Sequence, residues 1–216
     1  MIRHALAPVL PAAAGALRIP RTLPGAAGAA LTFDDGPHPE GTPAVLEVLA
    51  RADARATFFV IGEQVARRPA LAAEIVAQGH VVAVHGHRHR LQLRLSPAML
   101  LDDLNRGRAA IEDATGLAPG WHRPPYGVYS SAGLRVVREA GLKPLLWSRW
   151  GKDWRKLTTP GRIAARATAE IAAGDVILLH DADFYTSREC YRRTVAALPL
   201  VIAELKRQVI GTVLPV

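Results

Sequence analysis

Short apolar runs alternate with longer amphipathic stretches along nearly all of this chain. Strand-like runs fall at 29–34, 56–61, 81–85, 120–123, 143–148, 175–180 and 208–213. Helical periodicity occupies 42–52, 63–78, 97–115, 130–140, 159–173 and 188–207. Strand–helix repetition at this spacing predicts a parallel sheet, because parallel neighbours need a crossover that a helix can supply. Seven strands with six helices between them favour a single-domain α/β barrel, complete or not, over an open sheet. Helix starts are marked by Thr42, Ser96 and Thr159, each directly before a proline. Helix ends are marked by Gly79, Gly116, Gly141 and Gly174.

No linker or composition shift divides residues 29–216, so they are read as one domain. Residues 1–28 are rich in Ala, Pro and Gly and are read as an irregular leader in preference to a weak signal-like segment at Ala5 to Leu17, which Pro8 and Pro11 interrupt. The chain has one cysteine, Cys190, which excludes an intrachain disulfide and a thiolate zinc cluster. No run of 18 apolar residues exists, so no spanning helix is expected. The net charge of +8 comes from scattered arginines rather than a basic stripe with interleaved aromatics. Nucleic acid is therefore not expected as a partner, and a monomer is. The compartment stays open between cytoplasm and cell envelope.

The unusual polar residues gather at the C-terminal ends of the strand-like runs, the rim where parallel α/β folds assemble their sites. Asp34 and Asp35 end the first run and are followed by Gly36-Pro37. Adjacent buried carboxylates repel and resist desolvation, and a bound cation relieves both. One could ligate the cation while the other serves as a base. His85 and His89 follow the third run, four residues apart. A turn of near-helical pitch there would aim both imidazoles at one metal, with His87 elsewhere. Asp35, His85 and His89 then supply three ligands and leave an open position, as catalytic metal sites do. Arg123 heads the stiff loop Pro124-Pro125-Tyr126-Gly127 and could hold a carboxylate. Trp147, Trp150 and Trp154 fit either core packing or a pocket wall. His180, at the end of Leu178-Leu179-His180, is a candidate general acid.

These motifs resemble the polysaccharide deacetylases of carbohydrate esterase family four, over residues 28–216. The family's TFDDGP motif stands intact at Thr32 to Pro37. Its histidine pair is matched at His85 and His89, with Gly86 where Ser or Thr is usual, a change expected to loosen the loop. Its Arg-x-Pro-Tyr-Gly loop is matched at Arg123, Pro125, Tyr126 and Gly127, and its Leu-x-His at Leu178 and His180. Asp153 and Trp154 match its Asp-Trp pair, but Trp150 replaces the acid that normally precedes them.

The resemblance implies a distorted (β/α) barrel with about seven parallel strands. It also implies a divalent metal, zinc first and cobalt or nickel next, held by Asp35, His85 and His89. Asp34 would be the base and His180 the acid, with Arg123 holding Asp34 and Asp153 orienting His180. Tyr126 would offer its N–H to the oxyanion, and Trp154 and Leu178 would wall the acetyl pocket. The implied substrate is an N-acetylated glycan, peptidoglycan or a chitin-like oligomer. Two alternatives keep the fold: an O-acetyl esterase acting on acetylated polysaccharide, and a non-catalytic glycan-binding relative.

Overall fold

Residues 2–215 are described by a computed structural model. Eight short strands carry the sheet: β1 Gly28–Asp34, β2 Ala56–Val60, β3 Val81–Val84, β4 Trp121–His122, β5 Lys143–Pro144, β6 Arg149–Trp150, β7 Val176–His180 and β8 Gly211–Thr212. Around them lie helices α1 Ile2–Leu6, α2 Pro11–Ala16, α3 Gly41–Ala52, α4 Gly62–Arg67, α5 Pro69–Ala77, α6 Pro97–Thr115, α7 Ser131–Glu139, α8 Pro160–Ala167 and α9 Cys190–Arg207. All pairings between these strands are parallel, in the order β5-β4-β3-β2-β1-β7-β6, and β8 joins the start of β1.

The two edge strands, β5 and β6, belong to one stretch of chain, 143–150. Its first residues pair with β4 and its last with β7. The sheet therefore curls round on itself as a distorted barrel, and the run expected as one strand at 143–148 is a strand only at 143–144, the next strand beginning just beyond it at Arg149 across a seam. Backbone groups at the seam lack a strand neighbour and find other partners, as buried amides must. Leu146 N–H donates to Pro20 O at 2.9 Å. Trp147 O accepts from Arg21 Nε at 2.8 Å. Leu145 O and Leu146 O accept from the Arg123 guanidinium at 3.1 and 3.0 Å.

That arrangement bears on the N-terminal residues, expected to be irregular. Residues 2–16 contain two short helices, and Ala7, Ala14 and Ile19 are buried in the main core. Small apolar residues let the segment lie close against the barrel, where residues 20–21 cover the seam.

Other boundaries differ for local reasons. The stretch expected as one helix at 63–78 breaks at Arg68 (φ −141°, ψ 56°), because Pro69 disfavours helical geometry in the residue before it. Ser96 and Thr159 cap α6 and α8 as expected, accepting from Met99 N and Arg162 N. Thr42 does not cap α3. It lies inside the helix, where its hydroxyl accepts from His38 N and donates to the buried Asp181 carboxyl. Helix α8 ends at Ala167 rather than 173, and Glu170 beyond it has φ +50°. Gly79, Gly116, Gly141 and Gly174 all take positive φ.

The core is built from strand and helix faces that are mainly apolar. Every residue of β1, β2 and β7 is buried, as expected for central parallel strands covered on both sides. Phe33 and Phe58 stack at 5.1 Å between neighbouring strands. Among the described residues no helix is long and apolar enough to cross a membrane.

Candidate metal centre and active site

The sheet register sets the site. Asp34 at the end of β1 is level with His180 of β7 and Phe59 of β2. His85 N–H donates to Val60 O, and Arg123 N–H to Val84 O, which carries the ladder one residue past β3 and β4. The ends of β7, β1, β3 and β4 thus deliver their polar residues to one rim, with β2 between β1 and β3.

Asp35 leaves β1 with φ +81°, a conformation that separates its side chain from that of Asp34. Its Oδ1 lies 3.5 Å from His85 Nε2 and 3.3 Å from His89 Nε2. One ligand atom from each of these three residues lies within 4.8 Å of the others. The loop from His85 to His89 is not helical as expected; it bends through Gly86 at φ +91°, yet both imidazoles still converge. His87 points away, toward Gly62 and Gly107 on α4 and α6.

The donor set fits a divalent cation. His85 Nδ1–H donates to Arg123 O at 2.8 Å, so Nε2 is the ring nitrogen left to ligate a cation on the side of Asp35. Asp35 Oδ1 is buried and has no hydrogen-bond partner. Facing lone pairs repel unless a cation sits between them. Burial pushes His89 down to about 4, against the pull of Asp35, so this ring is a neutral donor.

Beside this group, Asp34 Oδ1 accepts from Arg123 Nη1 at 2.7 Å. The Arg123 side chain is 0 % exposed and lies 3.9 Å over the Phe59 ring. Nη1 also reaches Thr32 Oγ1, which in turn donates to Ile177 O. On the other flank His180 Nδ1 donates to Asp153 Oδ1 at 2.9 Å, and His180 N–H to Asp153 Oδ2 at 2.6 Å. Burial would lower His180, but the Asp153 charge and hydrogen bond, with Asp35 and Asp34 behind them, raise it to about 10.

A cleft of about 290 Å³ opens over these residues. Tyr126, Trp147, Trp150, Trp154 and Leu178 form much of its wall, so the three indoles line a pocket as well as packing on one another. Trp154 meets His180 edge-on at 5.6 Å. Tyr126 has φ +61° and is 58 % exposed at the rim.

Three contributors escaped the sequence reading. Tyr185, on the loop after β7, lines the cleft and stacks on His89 at 4.4 Å. Thr194 of α9 donates to Asp153 Oδ2 at 2.7 Å. Asp103 of α6 accepts from His87 N at 2.8 Å and Arg88 N at 3.1 Å. The loop that Gly86 was expected to loosen is therefore pinned by a carboxylate from a neighbouring helix. None of the three stands in a motif or at a spacing that links it to the site.

The sequence profile of the polysaccharide deacetylase family matches residues 24–145. A peptidoglycan-N-acetylglucosamine deacetylase of Bacillus cereus is 37 % identical, over 83 % of this chain and 82 % of that protein. The chain belongs to the polysaccharide deacetylase family. A chitooligosaccharide deacetylase of a Bradyrhizobium species is 40 % identical to it, over 82 % of this chain and 84 % of that protein. Among solved structures, the family 4 carbohydrate esterase of Streptomyces lividans, determined with acetate, superimposes with a TM-score of 0.79. It is 29 % identical, and the match covers 88 % of this chain and 94 % of that one. Polysaccharide deacetylases are hydrolases of carbon–nitrogen bonds, and this chain carries their barrel.

Proposed function

We propose that this polysaccharide deacetylase removes N-acetyl groups from amino-sugar glycans, either peptidoglycan or chitin-like oligomers. The observation that carries the reading is the meeting of Asp35 Oδ1, His85 Nε2 and His89 Nε2 beside a separate acid held by arginine, Asp34. Asp35, His85 and His89 would hold the divalent metal, zinc in the first instance and cobalt or nickel as substitutes. Such a cation acidifies a water and polarises the amide carbonyl.

Asp34 would act as the base that takes the proton of the attacking water. Arg123 fixes the orientation of the Asp34 carboxylate through a charge-assisted bond. The Tyr126 N–H, turned by its left-handed backbone, donates to the developing oxyanion. Trp154 and Leu178 enclose the acetyl methyl. The amine leaves only if protonated, and His180 gives it that proton, with Asp153 holding Nδ1 so that Nε2 is the donor.

Acetate release from N-acetylglucosamine oligomers tests the reading. His85→Ala is expected to abolish release and stoichiometric zinc uptake while leaving the far-ultraviolet circular dichroism spectrum unchanged. Undiminished turnover in this variant, or after exhaustive chelation, would reject it.

A further inference from the structure

The two imidazoles of the proposed metal site are held in different ways. His85 is oriented by a hydrogen bond from Nδ1 to Arg123 O. His89 Nδ1 is buried with no partner, so nothing of that kind orients its ring. Outer partners of this type ordinarily fix a ligating histidine and tune its affinity.

What the ring has instead is aromatic contact on two sides. Tyr185 lies face to face with it, with centroids 4.4 Å apart and planes 8° from parallel. Tyr126 meets it edge-on at 4.5 Å and 68°. Tyr185 is itself held by its hydroxyl, which donates to Glu63 Oε1 and accepts from Gln64 Nε2, both at 3.0 Å. Glu63 and Gln64 lie on α4, and the start of α4 also grips the ligand loop: Gly62 N–H donates to Gly86 O and Glu63 N–H to His87 O, both at 2.9 Å. One short helix therefore sets both the loop that carries His89 and the ring that covers it.

We propose that Tyr185 is the positioning residue for His89, and that its stacked ring does for this ligand what the Arg123 carbonyl does for His85. The proposal rests on the metal site described under the proposed function. The ring surface supplies the restraint, and the hydroxyl serves only to hold the ring. Removing the ring should free the His89 side chain to rotate about χ2 and weaken metal binding before any substrate is present.

Zinc affinity of the full chain, measured by competition with a chromogenic chelator, separates these outcomes. Tyr185→Leu is expected to weaken zinc binding by about tenfold or more, the range seen when an outer partner of a metal histidine is lost. Tyr185→Phe keeps the ring and is expected to stay within about threefold of the parent, the remainder of the loss being recovered by stacking. The visible spectrum of the cobalt-loaded protein is expected to shift in Tyr185→Leu and to be preserved in Tyr185→Phe. Parent-like zinc affinity in Tyr185→Leu overturns the proposal while leaving the metal site standing. An equal loss in both variants also overturns it, by assigning the effect to the hydroxyl. Failure of the parent chain to bind zinc overturns the metal site itself and this inference with it.

Discussion

His180 shows how a single side chain can be set against its surroundings. Burial alone would strip its proton, yet the Asp153 carboxylate, bonded to both its ring and its backbone, reverses the sign and raises it to about 10. A histidine raised from 6.5 to about 10 on folding adds stability that is fully present below pH 6.5 and is lost as pH climbs through 10. Asp153→Asn removes the charge that opposes burial. In the metal-free protein it is expected to flatten the fall in urea midpoint across that alkaline window. It should also move the alkaline limb of the kcat profile to lower pH, because the proton donor is lost sooner. An unchanged slope and limb would acquit Asp153 of this role. The residues of the rim were legible because each sits directly after an apolar run, where chemistry and strand end coincide in the sequence. Tyr185 and Thr194 were not, since each reaches the site from a separate turn of chain and carries no motif.

At the level of elements, the loop from His85 to His89 departs most from its expected form. The sequence places two histidines four apart, which a helical turn would also satisfy. The observed bend depends on Gly86 at φ +91°, and an added Cβ there would lie 2.9 Å from Asp103 Oδ2. Asp103 already accepts from two backbone N–H groups of the loop. Gly86→Ser, which restores the family's usual residue, is therefore expected to cost about 1–3 kcal/mol through backbone strain and crowding of that carboxylate. Urea denaturation measures it; a neutral or stabilising change would mean the loop can relax into another bend. The helix at 97–115 matched its expected limits because serine, proline and glycine mark both ends. The run at 143–148 could not reveal that its strand stops at 144 and that pairing resumes at 149, because which neighbour each piece meets is decided by strands far away in sequence.

For the molecule as a whole, closure of the barrel is shared between backbone ladders and a few side chains at the seam. Residues 20 and 21 provide two of those bonds, to Leu146 N and Trp147 O. Removal of residues 1–22 is expected to lower the calorimetric Tm by at least about 5 °C, since each lost kcal/mol shifts a chain of this size by about 2–4 °C. An unchanged Tm would make the N-terminal segment dispensable to the fold.

The remaining seam bonds come from Arg123, which also presents its carbonyl to His85 and its guanidinium to Asp34. Architecture and chemistry are in this way welded at one codon. Replacement there is expected to disturb the scaffold along with the proposed chemistry, so a search for inert but intact versions of this protein should look to other positions.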